Sequence, residues 1–111
     1  MPIPKKLIRD KISAQLEITK TQYVYDHKEL NKLYDLKVQE ETSEIKFAEH
    51  SDIKEFADLI QVAYDWALVN GFTKNQVNEA IIDKANTNGT FSNIVLLDLD
   101  IERQSNHLYF E

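Results

Sequence analysis

The stretch VQEETSEIKFAEHSDIKEFADLIQVAY, residues 38–64, predicts two consecutive helices with a short break between them. Apolar residues recur at intervals of three and four on both sides of the break, which is the spacing of one face of a helix. The four residues EHSD, 49–52, interrupt this spacing, and Ser51 or Asp52 is suited to capping the helix that follows. The stretch is also rich in Glu and Asp, so it bears on function as well as on fold.

The same periodicity extends outward in both directions. Toward the N-terminus it predicts a helix from about His27 to Ala48, and toward the C-terminus it predicts a helix that ends near Asn70. Gly71 favours a left-handed helix end, with Phe72 packing back against the helix. Thr73 and Gln76 have the spacing of a capping box, which predicts a further helix that stops near NTNG, residues 86–89.

The two ends of the chain have weaker patterns. Residues 5–19 predict a first helix or helical turn, and residues 19–26 are β-branched and aromatic and predict an extended connector. A short β-like run is expected from Ile94 to Leu99, followed by a mobile tail at 101–111. We therefore expect an all-α fold in one domain, residues 1–111: a bundle of three long helices and a short N-terminal helix, completed by oligomerisation.

Composition excludes several classes of function. The chain has 13 Lys and Arg against 19 Asp and Glu, a net charge of −6, which argues against a nucleic-acid polymer as partner. It contains no cysteine, so disulfides, thiolate metal sites and thiol nucleophiles are excluded. Its apolar runs are too short to span a membrane, and we expect a soluble, cytoplasmic protein.

Four carboxylates of the opening stretch fall at or near the apolar sides of the two predicted helices. On a helical wheel Glu41 and Glu44 lie inside or beside the apolar stripe of the first helix, and Glu55 and Asp58 border that of the second. Carboxylates taken out of water need cations, and hard divalent ions prefer oxygen ligands. The four residues therefore predict a Mg²⁺ or Mn²⁺ site, although on spacing alone an acidic helix face in water is the more usual explanation.

Four sequence blocks in order resemble the MazG-like all-α nucleoside triphosphate pyrophosphohydrolases, relatives of phosphoribosyl-ATP pyrophosphohydrolase. KVQEETSE, 37–44, followed after ten residues by EFAD, 55–58, is similar to the EExxE…ExxD signature of that family. KLIRDKI, 6–12, resembles the KLVRDKI opening of one subgroup, and EFADLIQVAYDWALVNGF, 55–72, resembles its third helix. KANTNGTF, 84–91, stands where the subgroup has K-x-x-x-R-G-G-F.

The resemblance implies Mg²⁺-dependent hydrolysis of a nucleotide between its α and β phosphates, giving a nucleoside monophosphate and pyrophosphate. It implies a tight homodimer or tetramer as well. Carried over by position, the metal ligands are Glu41, Glu44, Glu55 and Asp58. Glu40 and Glu41 are the catalytic carboxylates, Glu40 by orienting water. The substrate-binding candidates are Lys37, Lys84, Arg9, Lys11 and Asn88.

Several of these assignments have alternatives that the sequence leaves open. A second interpretation of Lys37 is an ordinary i, i+4 partner of Glu41. For Arg9 and Lys11 the second interpretation is a local surface charge cluster. Trp66 is either a base-stacking residue or, from its wheel position, part of the core.

Three departures from the subgroup also bear on function. Asn88 replaces the arginine of the last block, Thr90 replaces its second glycine, and Gln61 stands where relatives often have an acid or Asn. These departures keep open a catalytically silent nucleotide-binding or regulatory oligomer, and composition alone also fits an acidic interaction protein.

Overall fold

The structure is a computed structural model. Its two longest helices are the two predicted around residues 38–64. Residues 5–16 and 23–99 are described. The helices are α1 (Asp10–Ser13), α2 (His27–Phe47), α3 (Ile53–Val69) and α4 (Lys74–Asn88). Across the described residues the structure has no strand, so the fold is all-α.

α2 and α3 pack against each other as an antiparallel pair. At one end of the pair, the indole Nε1–H of Trp66 donates to Oδ1 of Asn31 at 2.7 Å, and the Nδ2–H of Asn70 donates to the same oxygen at 2.9 Å. Trp66 also stacks on Tyr34 with ring centroids 6.3 Å apart. These contacts align the two helices. Nearer the other end of the pair, Glu41 of α2 faces Glu55 and Asp58 of α3.

The turn between α2 and α3 is set by backbone hydrogen bonds. The N–H groups of Glu49 and His50 donate to the carbonyls of Lys46 and Ile45 at 3.0 and 2.9 Å, which is the pattern of a Schellman motif. Glu49 has φ +57° and His50 φ +62°, in the left-handed region where glycine is favoured. Asp52, one of the two predicted caps, accepts from the backbone N–H of Lys54.

The predicted signals between α3 and α4 are confirmed at the backbone. Gly71 has φ +94°, and the N–H groups of Gly71 and Phe72 donate to Leu68 and Ala67, so α3 ends in a second Schellman motif. The side chain of Phe72 is 55 % exposed, so little of it packs back. Thr73 and Gln76 exchange reciprocal side-chain to backbone hydrogen bonds of 2.8 and 3.1 Å, a complete capping box.

The two ends of the chain differ more from expectation. Within residues 5–16 helical structure is limited to α1, a single turn, because this segment makes polar contacts to α2 and α3 and buries none of its apolar side chains. Residues 94–98 are not a strand: Ile94 has φ +57°, outside the extended region, and Val95 and Leu96 are more than 80 % exposed. The predicted mobile tail lies outside the described residues, as does the part of the connector at 19–22.

The chain divides into two compact units, Met1–Glu79 and Ala80–Glu111. The first contains α1, α2, α3 and the start of α4, and the second contains the rest of α4. Among the described residues, the buried side chains are Ile45 and Glu41 alone, so the apolar core is very small. No helix in the described part of the chain combines the length and apolar character needed to cross a membrane.

Candidate metal centre

The centre of the site is a cluster of three carboxylates, Glu41 from α2 and Glu55 and Asp58 from α3. Each offers one oxygen, and these oxygens all lie within 4.8 Å of one another. Glu41 is 8 % exposed, whereas Glu55 and Asp58 are half-buried. We refer to these three residues as the acidic cluster.

Helical geometry explains which predicted carboxylates meet. Glu55 and Asp58 are three residues apart and therefore lie on the same side of α3, toward α2. Glu44 has the same three-residue spacing from Glu41, but its side chain is exposed and contributes no oxygen to the group of three. The structure thus brings together three of the four predicted ligands and leaves Glu44 beside them, outside the cluster.

Like charge in the cluster changes the ionisation of Glu55. Loss of hydration, followed by the carboxylates of Asp58, Glu44, Asp52 and Glu41, raises the pKa of Glu55. Among the described residues, no lysine or arginine forms an ion pair with Glu55. The oxygens of the cluster therefore fit a hard divalent cation, which would replace the missing positive charge.

Two cations pair with the other members of the cluster. Nζ of Lys37 lies 3.4 Å from Oε1 of Glu41 and 3.3 Å from Oε2 of Glu40, and its side chain is only 15 % exposed. The Arg9 guanidinium donates to Oδ1 of Asp58. The pairing of Lys37 with Glu41 agrees with the i, i+4 alternative for Lys37, whereas Arg9 pairs with a carboxylate 49 residues away in the chain. A phosphate contact by either residue stays a prediction.

Glu40 lies beside the cluster in a different environment. Partial burial opposes its ionisation, but the ammonium groups of Lys6 and Lys37 outweigh this effect and hold the pKa of Glu40 below its usual value. Nζ of Lys6 donates to Oε1 of Glu40 at 3.1 Å. A carboxylate with this environment is ionised at neutral pH and can accept a proton or orient a water.

A pocket of about 150 Å³ opens beside the cluster. Glu41 and Asp58 form part of its wall, together with Tyr34, Gln61 and Asp65. Gln61 Nε2–H donates to both carboxylate oxygens of Asp65 at 3.2 Å. Burial and then the charge of Asp65 raise the pKa of the Tyr34 phenol, so the hydroxyl stays protonated at neutral pH.

Sequence reasoning missed Asp65 and Lys6 as residues of this site. Asp65 is seven residues after Asp58, two turns along the same face of α3, so helical spacing was a usable signal. Lys6 had no such signal, because its partner Glu40 is 34 residues away.

Three other predicted substrate-binding residues lie on α1 and α4. Lys11 is on α1, and Lys84 and Asn88 are on α4 in the second unit, all with exposed side chains. Their predicted contacts with substrate stay predictions.

No family model matches the chain, and comparisons with curated proteins and with solved structures find no significant similarity. The functional assignment therefore depends on the motifs and on the geometry of the acidic cluster.

Proposed function

We propose that the protein is a Mg²⁺-dependent nucleotide pyrophosphohydrolase that cleaves a nucleoside or deoxynucleoside triphosphate between its α and β phosphates. The observation that carries this proposal is the convergence of Glu41, Glu55 and Asp58 to within 4.8 Å. These are three of the five acids in the motif that resembles the EExxE…ExxD signature, and they come from two different helices. An acidic face in water does not require such convergence.

Each residue near the cluster has a role in the proposed reaction. Glu41, Glu55 and Asp58 hold the metal, with Glu44 at its edge as a fourth candidate. When bound, Mg²⁺, or Mn²⁺ in its place, neutralises phosphate charge and makes water more acidic. Glu40 orients the attacking water, since its lowered pKa keeps the carboxylate ionised and able to accept a hydrogen bond from that water. Lys37, which pairs with Glu40 and Glu41, balances charge on a phosphate oxygen in this proposal.

The size of the pocket constrains how substrate is held. Pockets that enclose a small molecule have volumes of about 300–1,000 Å³, and the pocket here is about 150 Å³. It therefore suits the phosphate end of a nucleotide better than the whole molecule. We propose that a second copy of the chain, in a homodimer or tetramer, completes the site.

A pyrophosphate-release assay tests the proposed activity. A panel of nucleoside and deoxynucleoside triphosphates with Mg²⁺ should release pyrophosphate, and EDTA should abolish the release. Glu41→Gln should reduce it at least about 100-fold, since it removes charge from a ligand of the metal. Glu79→Gln, an exposed carboxylate on α4, is the control and should keep full activity. Release that survives both EDTA and Glu41→Gln contradicts the proposed mechanism.

The alternative of a catalytically silent nucleotide-binding module is supported by a different observation. Arg9 and Lys37 already neutralise Asp58 and Glu41, so the cluster is partly balanced without a metal. Nucleotide binding in calorimetry together with no pyrophosphate release, at any nucleotide in the panel, would favour this alternative.

A further inference from the structure

Residues 5–16 form the N-terminal segment, which lies against the acidic cluster. The Arg9 guanidinium donates to Oδ1 of Asp58, and Lys6 Nζ donates to Oε1 of Glu40 at 3.1 Å. Leu7, Ile8 and Arg9 also form part of the wall of the pocket that Glu41 and Asp58 line. The segment therefore provides a positive charge to the cluster and covers one side of the pocket.

A divalent cation in the cluster would compete with this arrangement. Asp58 is a member of the cluster, so a cation bound there and the Arg9 guanidinium would share one carboxylate and lie within a few ångströms of each other. Two like charges at that distance repel, and each reduces the negative charge that attracts the other. Binding of the cation therefore weakens the Arg9 to Asp58 pair.

Few other contacts hold the N-terminal segment in place. Its helix is one turn long, and Ile8, Ile12 and Leu16 are 38, 46 and 44 % exposed. The ion pairs from Lys6 and Arg9 attach the segment to α2 and α3, and Leu7 is the half-buried apolar side chain beside them. Because partly exposed ion pairs contribute little free energy each, the segment can be released at low cost.

We propose that docking of the N-terminal segment and binding of a divalent cation to the acidic cluster are negatively coupled. Without metal, Arg9 serves as an internal counter-ion and the segment covers the pocket. With metal, Arg9 leaves Asp58 and the segment opens one wall of the pocket, so a bound cation gives a phosphate group access. The inference rests on the proposed metal site, and it assigns to the segment a regulatory role at that site.

The first test measures Mg²⁺ affinity by calorimetry in the full chain. Arg9→Gln should bind Mg²⁺ about two- to fivefold more tightly than wild type, the range expected from losing one partly exposed ion pair. Lys6→Gln loosens the same segment without touching the cluster and should also tighten binding, because coupling between two equilibria is reciprocal. Lys5→Gln removes the same charge from an exposed position in the segment and should leave the affinity unchanged.

The second test measures amide hydrogen exchange of residues 5–16. Exchange in wild type should become faster when Mg²⁺ is added, and the Arg9→Gln variant should exchange fast at all Mg²⁺ concentrations.

The outcomes separate this inference from the metal site itself. Mg²⁺ binding that is equal in wild type and Arg9→Gln, or weaker in the variant, overturns the coupling while the metal site stands. Slower exchange of the segment with Mg²⁺ also overturns it. Absence of Mg²⁺ binding in wild type and in all three variants overturns both proposals.

Discussion

The acidic cluster changes the ionisation of Glu55. Its pKa is raised from the ordinary value of 4.5, so the folded protein holds this proton more tightly than the unfolded chain does. The folded state is then favoured while Glu55 is protonated, and this contribution is lost as the pH rises through the raised pKa. At neutral pH without metal, the ionised Glu55 is a source of instability.

Replacing Glu55 with Gln should therefore raise the melting temperature of the metal-free protein at pH 7. It should also remove the increase in melting temperature that we expect millimolar Mg²⁺ to give wild type, since one proposed ligand is lost. Differential scanning calorimetry between pH 4.5 and 7 measures both effects, and the gain over wild type should grow with pH.

The matched control is Glu79→Gln, which should change neither the metal-free melting temperature nor its response to Mg²⁺. A lower melting temperature for Glu55→Gln at pH 7 would contradict repulsion within the cluster. The lowered pKa of Glu40 has the opposite effect on how stability changes with pH. The quantity to compare is therefore the difference in melting temperature between the variant and wild type at each pH.

The residues of the site were predictable to the extent that helical spacing determines them. The wheel placed Glu41, Glu55 and Asp58 toward neighbouring helices, and the structure brings them together. The pairing of Arg9 with Asp58 spans 49 residues, and local periodicity contains no information about such a contact. For Lys37 the sequence predicted the i, i+4 pair with Glu41 as one alternative, and the structure contains that pair.

At the level of elements, the turn between α2 and α3 determines how the acidic cluster is assembled. Glu49 occupies the position of a Schellman motif that usually belongs to glycine, with φ +57°. A side chain in this left-handed conformation costs about 1–2 kcal/mol. The turn is formed in spite of this cost, because its hydrogen bonds satisfy the last carbonyls of α2.

Replacing Glu49 with Gly should thus increase the free energy of unfolding by about 1 kcal/mol, since glycine adopts this φ without strain. Urea denaturation followed by circular dichroism measures the change. The same substitution at Glu79, within α4, should lower the free energy of unfolding by about 1 kcal/mol, because glycine is unfavourable inside a helix. A loss of stability for Glu49→Gly would show that its side chain contributes more than its backbone costs.

Helix ends were predicted well where a local chemical signal exists. Asp52, Gly71 and the Thr73–Gln76 capping box each satisfy backbone groups within a few residues, so the sequence alone identifies them. The extents of α1 and of the 94–99 run were not predictable in the same way. Both depend on what neighbouring parts of the chain bury, and short apolar patterns do not specify that.

For the whole molecule, the small core is the main unexplained feature. Among the described residues, Ile45 is the one apolar side chain that is buried. On one face of α3, by contrast, Ile53, Phe56 and Ile60 are 81, 43 and 55 % exposed. A helix with apolar residues on several sides is normally covered on all of them. We therefore propose that this face of α3 is where copies of the chain associate.

Sedimentation over a range of protein concentrations should reveal a dimer or larger oligomer. Ile60→Asn should weaken association at least about tenfold, because burying an isoleucine side chain contributes roughly 1.5–3 kcal/mol. Ile82→Asn, at a similarly exposed position on α4, is the control and should associate as wild type does. A wild-type protein that sediments as a monomer at the highest concentration would contradict the proposed association.

The stacking of Trp66 on Tyr34 also gives the molecule a built-in optical signal. Trp66 is the one tryptophan of the chain, and its partner Tyr34 lines the same pocket as Glu41 and Asp58. Indole emission responds to the polarity and to the rings around it, so its intensity and wavelength report on this one location. Titrations of metal or nucleotide can therefore be followed in the unlabelled protein, without a second fluorophore of the same kind to obscure the change.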